Sequence, residues 1–176
     1  MDEMFREMLA VDSAKALAFF WDGLVAVRGR DTVSKAQMLY VSSILAHYSL
    51  VSCGSGENFP TPTTLSDIFD RFVIGVSRGE TPMDSETMAT AGASTLFLNG
   101  FFRDQLPRRH STVYWDQMGQ AFYYRASRAE RDREKRLLME GMAASSPSWS
   151  LRCHRLRIYL EEERLDRQYL IRPSGQ

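Results

Sequence analysis

The feature that most constrains this chain is a glycine that follows an apolar run and precedes two phenylalanines, within Leu96–Phe102. Because glycine adopts the left-handed conformation at the C′ position without strain, Gly100 predicts the end of a helix. A polar turn follows, and Ser111 or Thr112 then predicts the start of a second helix. That helix contains the aromatic-rich segment Tyr114–Tyr124. Two helices joined by a sharp turn therefore form the centre of the predicted fold.

The two predicted helices carry small residues where their backbones can approach closely. Gly119 lies in the middle of the aromatic-rich helix, where glycine costs about 1 kcal/mol relative to alanine. A close helix crossing would offset this cost, because any side chain at the crossing point would hold the backbones apart. We therefore predict a close crossing there with the preceding helix, about 85–99. That helix supplies a run of small residues, namely Ala89, Ala91, Gly92, Ala93 and Ser94.

Apolar residues recur at three- and four-residue steps along most of the remaining chain, which is typical of amphipathic helices. The charged stretch 125–136 continues the aromatic-rich helix, and the segment Ser145–Ser148, which includes a proline, predicts its end. The predicted fold class is all-α, with residues 1–176 forming a single-domain bundle of about six helices and a frayed tail from about residue 171. The helices are expected at about 2–27, 33–52, 63–77, 85–99, 111–142 and 149–169.

The charges of the chain balance overall but not locally. The 176 residues contain 22 basic and 22 acidic side chains. Residues 1–102 hold seven basic and twelve acidic side chains, whereas residues 103–176 hold fifteen and ten. We favour attraction between the two halves within the fold, with binding to a charged partner as the alternative. The neutral total argues against broad affinity for nucleic acid.

The sequence contains no feature of a secreted or membrane-spanning protein. The N-terminal residues are acidic, unlike the start of a signal peptide, and no apolar run approaches the roughly 20 residues of a membrane span. Cys53 and Cys153 stand far apart, without the dense cysteine pattern of a disulfide scaffold. We expect a cytoplasmic protein with reduced thiols and no membrane association.

No residue pattern predicts a metal, a cofactor or a catalytic group. His47, His110 and His154 lack the paired spacing that would place two ligands on one helix face. The segment Gly54-Ser55-Gly56 is not a Gly-x-Ser-x-Gly elbow. Cys153 and His154 are neighbours in sequence, so in a helix their side chains point about 100° apart. The sequence therefore favours a protein without a cofactor, a metal or an enzymatic activity.

Residues 92–123 resemble a family of uncharacterised bacterial proteins. Its pattern is like Leu-Gly-Asp-x-x-Leu-Phe-x-x-Gly-Phe-Phe, followed by Ser-x-x-Tyr-Tyr-x-x-Met-Gly-x-x-Ala-Tyr. The matching residues here are Gly92, Leu96, Phe97, Gly100, Phe101, Phe102, Ser111, Tyr114, Met118, Gly119 and Tyr123. Ala93, Trp115 and Phe122 depart from the pattern, replacing its aspartate, its second tyrosine and a small residue. The resemblance implies an α-helical fold and a bacterial source, and it implies no particular function.

The turn between the two central helices combines basic and aromatic residues. Arginine beside aromatic rings is typical of protein-interface hot spots and of anion sites. The alternative is that the arginines bond the last carbonyls of the preceding helix and keep the turn solvated, and we favour this over a binding role. If the sequence marks a binding site, it consists of Arg103, Arg108, Arg109, His110, Tyr114 and Trp115.

The leading functional prediction is a non-enzymatic interaction or adaptor protein whose partner is another protein or a second copy of the chain. Its partner surface would be the turn from Arg103 to Trp115 or the basic last helices. The alternative is a small-molecule sensor with a pocket lined by the aromatic helix. That pocket would use Tyr114, Trp115, Met118, Phe122 and Tyr123.

Overall fold

A computed structural model describes residues 13–27, 33–53, 67, 68, 70, 73, 74, 78, 84–106 and 111–170. These residues form α-helices and one short 3₁₀ turn, Arg103–Gln105, and no strand is present among them. The all-α prediction is therefore confirmed for the described part of the chain. In chain order the helices are α1 (Ser13–Val27), α2 (Lys35–Cys53), α3 (Ser85–Phe101), α4 (Thr112–Ala129) and α5 (Arg133–Leu170).

The core of the bundle takes side chains from all five helices. α3, α4 and α5 pack on one another, while α1 packs on α2 and α5. Aromatic side chains bury about 150–250 Å² each, so they dominate the energetics of such a core. The bulkiest buried side chains include Phe20, Trp115, Phe122, Tyr123 and Trp149.

The described residues form five α-helices, whereas we expected about six over the whole chain. The predicted third helix, about 63–77, lies largely outside the described residues, although 67, 68, 70, 73 and 74 are helical. The predicted start of the first helix and the tail from about residue 171 also lie outside them.

α3 begins where the sequence predicts and ends one residue beyond its predicted glycine stop. The Asp84 side chain accepts a hydrogen bond from the backbone N–H of Thr87 at 2.8 Å, which is the expected N-cap. The helix then continues through Gly100 to Phe101. A Cβ atom on Gly100 would lie 2.5 Å from Cβ of Cys153 in α5. The prediction that Gly100 is a left-handed cap is wrong, because this glycine lies within the helix and permits a close helix contact.

The predicted close crossing at Gly119 is confirmed. A Cβ atom on Gly119 would lie 3.4 Å from Cγ2 of Thr95 in α3 and 3.1 Å from Oγ of Ser146 in α5. Gly92 of α3 meets α4 in the same way, because a Cβ there would lie 3.0 Å from the ring of Tyr123. The small residues thus bring α3, α4 and α5 together closely along their shared core.

The last two predicted helices are divided differently in the structure. The chain breaks after α4 at Glu130, whose carboxylate accepts hydrogen bonds from the next two backbone N–H groups at 2.8 and 2.9 Å. Asp132 then accepts from the backbone N–H of Lys135 at 2.9 Å and caps the start of α5. The predicted break at Ser145–Ser148 is wrong, because α5 runs through this segment without interruption.

α5 tolerates Pro147 because neighbouring side chains hold the helix on either side of it. Proline lacks the N–H group that would bond the carbonyl four residues earlier. Ser145 Oγ donates to the carbonyl of Gly141 at 2.7 Å, and Trp149 Nε1 donates to Oε1 of Gln37 in α2 at 3.1 Å. Tertiary anchoring therefore keeps the segment helical despite its local preference for a break.

Candidate functional site

The structure places three of the six predicted site residues, at the turn between α3 and α4. Arg103 lies half-buried in the 3₁₀ turn, and Tyr114 lies half-buried in the first turn of α4. Trp115 is only 1% exposed and its ring packs edge-on against Tyr114, with the centroids 5.5 Å apart. Trp115 is therefore a core residue in this structure. The other three residues, Arg108, Arg109 and His110, lie outside the described residues.

A small polar cluster joins the end of α3 to α4 beside this turn. The buried Asn99 side chain donates from Nδ2 to Oδ1 of Asp116 at 2.6 Å. Burial raises the pKa of the Asp116 carboxyl, and both the Arg103 guanidinium and the Asn99 hydrogen bond oppose that rise. A carboxyl group and a primary amide thus bond each other beside the turn that the sequence singled out, and the positive charge of Arg103 acts on that carboxyl.

The raised pKa of Asp116 predicts a specific dependence on pH. The folded chain holds this proton more tightly than the unfolded chain, whose carboxyl has a pKa near 3.8. Protonated Asp116 therefore stabilises the folded chain most at pH values below 3.8. This stabilisation is lost as pH rises through the pKa that Asp116 has in the folded chain. Asp116→Asn, which keeps an acceptor for Asn99, should gain stability relative to the wild type as pH rises from about 3 to about 6.

A carboxyl ¹³C NMR titration checks the same prediction directly. The pKa of Asp116 should lie above 3.8 in the wild type and rise further in Arg103→Met, because the opposing positive charge is removed. Asp84 provides a control carboxyl at the opposite end of α3, where hydrogen bonds from Thr87 lower its pKa, and Arg103→Met should leave that pKa unchanged. A wild-type value at or below 3.8 would contradict the electrostatic arrangement described for the turn.

The arginine that caps the end of α3 comes from the other end of the chain. Arg157 of α5 donates from Nη1 to the carbonyl of Phe101 at 3.2 Å and to Oδ2 of Asp104 at 3.1 Å. Its Nε also bonds Glu161 at 3.0 Å. A cation at a helix C-terminus offsets the negative end of the helix dipole. Arg157 thus caps α3 in the way that we expected of the turn arginines, and nothing local in the sequence indicates this bond.

The side chains of Trp115, Met118, Phe122 and Tyr123 in α4 lie in the core, whereas that of Tyr124 is exposed. Met118, Phe122 and Tyr123 are at most 1% exposed. Burial raises the pKa of Tyr123 well above its usual value, with the neighbouring Tyr40 and Tyr48 hydroxyls adding to the rise. These phenols therefore stay neutral and serve as packing groups.

If buried, the tyrosine hydroxyls of the aromatic helix need polar partners, for which the sequence offers Asp67, Asp70, Arg71 and Asp116. Asp67 and Asp70 are exposed, and Arg71 lies outside the described residues. Tyr123 lies beside Tyr40 of α2, and burial raises the pKa of Tyr40 to about 12. The Tyr48 hydroxyl, also on α2, bonds Oγ of Ser94 at 2.5 Å.

Two clefts lie away from the buried aromatic groups. The first has a volume of about 540 Å³ beside the N-terminal half of α3, and its described lining is Ile68, Asp84, Glu86, Thr87, Thr90, Ala91 and Ser94. The second, of about 500 Å³, is an apolar groove between α4 and α5. Its described lining is Gln120, Ala121, Tyr124, Glu140, Ala143 and Ala144. A sensor function with a pocket on the aromatic helix stays a prediction.

The solvent face of α5 carries an apolar row that continues beyond the second cleft. Leu137, Ala144, Leu151 and Ile158 follow one another at intervals of seven residues, so they share one face of the helix. The leucines at 137 and 151 are 55% and 40% exposed, and Ile158 is 40% exposed. We call these four residues the α5 row. Two helices that pair carry apolar residues at two positions of each heptad, and the α5 row supplies one of those two positions.

Among the described residues, no group of three or more His, Cys, Asp or Glu side chains could hold a metal ion. The His47 ring is on the exposed side of α2, edge-on to Tyr48 at 5.1 Å. Cys153 is fully buried, and burial raises the pKa of its thiol to about 12. A thiol in that state is neither a nucleophile nor a ready metal ligand. Among the described residues, no helix is both long and apolar enough to cross a membrane.

Comparisons with models of known protein families, with curated proteins and with solved structures found no match to this chain.

Proposed function

We propose that this chain is a non-enzymatic interaction protein that binds a helix of another protein molecule along α5. The α5 row is the observation that carries the proposal, because it exposes two leucines and an isoleucine at helix-pairing spacing on a surface helix. The groove between α4 and α5 lies beside this row and adds the ring of Tyr124, which is 55% exposed. Aromatic and aliphatic side chains on one exposed face are characteristic of interaction surfaces.

The proposal places the partner on the last helices rather than on the turn at Arg103. Both surfaces were expected from the sequence, and Trp115 is buried where a hot-spot residue would need to be reachable. Basic side chains lie at the start of α5, including Arg133 and Lys135, and all are exposed. An amphipathic helix with acidic flanks is the chemistry that such a surface fits.

Photo-crosslinking tests the proposal in cells that express the chain naturally. A benzoylphenylalanine in place of Ala144, at the centre of the α5 row, should give discrete crosslinked products under ultraviolet light. Leu151→Arg should reduce those products about tenfold or more, because it places a charge in an apolar contact. Crosslinking yield on denaturing gels, followed by mass spectrometry of the products, provides the measurement.

A matched position on another helix provides the control. Leu39 on α2 is 51% exposed, so the same photoreactive residue there has similar access to solvent. It should give no comparable products. Equal products from positions 39 and 144, or products that Leu151→Arg leaves unchanged, would show that α5 is not the interaction surface.

A further inference from the structure

We propose that the partner helix is α5 of a second copy of this chain, paired antiparallel about a two-fold axis between Pro147 and Ser148. This inference rests on the proposed function, because it assigns an occupant to the α5 row. The exposed residues of α5 repeat their chemical properties on either side of that point.

The exposed face of α5 forms one continuous stripe. Its residues follow at steps of three or four, so they lie above one another on the helix surface. At 1.5 Å per residue the stripe is about 44 Å long. All of its members are exposed, and they are Arg133, Leu137, Glu140, Ala144, Ser148, Leu151, Arg155, Ile158 and Glu162.

The apolar members of this stripe match one another across its midpoint. An antiparallel pair centred between residues 147 and 148 places Leu137 opposite Ile158 of the second copy. The same register places Ala144 opposite Leu151, so the small alanine accommodates the larger leucine. By symmetry each of these two contacts occurs twice in the dimer. Together they use all four residues of the α5 row.

The charged members match in the same register. Glu140 lies opposite Arg155 of the second copy, and Arg133 lies opposite Glu162. Each pair joins an acidic side chain to a basic one, and the two-fold axis makes each pair occur twice in the dimer. At the rim Glu134 would face Glu161, but Arg157 already bonds the Glu161 carboxylate at 3.0 Å and offsets part of its charge.

A parallel pairing does not give this match. In a parallel pair in register, Glu140 would face Glu140 and Arg155 would face Arg155, and like charges at close range are unfavourable. At the antiparallel midpoint lie Pro147 and Ser148, neither of which has a long side chain. Small residues at the axis allow the two helices to approach closely.

The size of the surface predicts a reversible dimer. A single helix face of this length is at the small end of specific interfaces, which are associated with weak, transient association. The ring of Tyr124 and the alanines of the neighbouring groove widen the contact. We therefore expect dimers of the whole chain to form and dissociate as concentration changes over about 1 to 500 µM.

Charge reversal tests the register of this dimer. Sedimentation velocity of the full chain should show a monomer–dimer equilibrium. Glu140→Arg alone and Arg155→Glu alone should each weaken it about tenfold or more, because like charges then face each other twice per dimer. An equimolar mixture of the two variants should restore dimers, because each acid then meets a base in the mixed pair. The double variant Glu140→Arg/Arg155→Glu should restore them within a single chain.

Variants on another helix separate this register from a general effect of charge. Asp22→Arg and Lys15→Glu are matched reversals at exposed positions of α1, and they should leave dimerisation unchanged, singly and mixed. Circular dichroism and thermal melting should show that all variants remain folded, since each altered side chain is exposed.

The outcomes distinguish this inference from the proposed function. A wild-type chain that stays monomeric throughout, or dimers that the charge reversals leave unchanged or that mixing does not restore, would overturn the antiparallel α5 pair. That monomeric chain could still give crosslinks to a different protein, and Leu151→Arg could abolish those crosslinks. The proposed function would then hold, with a partner other than a second copy of the chain. Restored dimers in the mixture would support the inference irrespective of any other partner.

Discussion

Replacing Gly100 by alanine should lower the free energy of unfolding by about 2 to 3 kcal/mol. The new Cβ would lie 2.5 Å from Cβ of Cys153 and 3.4 Å from the carbonyl oxygen of Ser150. Neither atom belongs to the flexible end of a side chain, so the clash forces the backbones of α3 and α5 apart. This loss exceeds the roughly 1 kcal/mol that alanine gains over glycine in a helix interior. Thermal melting should show a decrease of roughly 5 to 10 °C for a chain of this size.

Gly119 provides the control for this prediction, because it too is a buried glycine within a helix. Its added Cβ would meet Ser146 Oγ at 3.1 Å and Thr95 Cγ2 at 3.4 Å, and both are side-chain atoms that can adjust. Gly119→Ala should therefore change stability by less than about 1 kcal/mol, since the gain in helix propensity offsets the tighter contact.

A second substitution tests whether the contact with Cys153 causes the loss. Cys153→Gly removes the Cβ that Gly100→Ala would meet. The double variant should be more stable than the sum of the two single effects by at least about 1 kcal/mol, because the two positions are in contact. A Gly100→Ala protein as stable as the wild type, or strictly additive effects, would contradict the close α3–α5 contact.

The sequence predicted the helices well and their ends poorly. Apolar periodicity is a local property, so it located α2 and α3 within a few residues of their observed bounds. The end of α3 depends on a distant residue. A glycine at a helix stop and a glycine at a close helix crossing look alike in one stretch of sequence, and only Cys153, more than 50 residues away, distinguishes them.

The division between α4 and α5 was also predicted wrongly, because a contact with a distant residue overrides the local signal. Pro147 favours a break locally, but Gln37 of α2 holds Trp149 just beyond it and the helix continues. The break lies instead where Glu130 and Asp132 bond nearby backbone N–H groups. Glu130 and Asp132 could have been recognised as capping residues from the sequence. The dense charge around them instead favoured one continuous, solvated helix.

That error also concealed the surface on which the proposed function rests. Leu137 and Ala144 precede the predicted break, whereas Leu151 and Ile158 follow it. The seven-residue spacing was therefore present in the sequence but divided between two predicted helices. The cap at the end of α3, in contrast, could not be predicted from the sequence. Arg157 bonds Phe101 from 56 residues away, and no local pattern indicates such a bond. The basic turn itself stays a prediction at Arg108, Arg109 and His110.

Replacing Gln37 by leucine should lower the free energy of unfolding by about 2 to 3 kcal/mol. Oε1 of Gln37 accepts from Nε1 of Trp149 at 3.1 Å. The indole is fully buried, so without Gln37 its N–H would lose its hydrogen bond in a place that water does not reach. Leucine fills similar space, which separates the lost acceptor from a packing defect. Urea unfolding gives the stability, and the indole N–H resonance of Trp149 should shift upfield in the variant.

A double-mutant cycle with Trp149→Phe identifies the bond as the cause of the loss. Trp149→Phe removes the donor and some buried volume, so it should destabilise the wild type by about 2 to 4 kcal/mol. In the Gln37→Leu background, Trp149→Phe should destabilise by at least about 1 kcal/mol less, because the hydrogen bond that it removes is already absent. Gln117→Leu, on the exposed face of α4, should change stability by less than about 0.5 kcal/mol. Equal effects of the two glutamine substitutions would exclude the Gln37–Trp149 bond as the contact that holds α5 helical past Pro147.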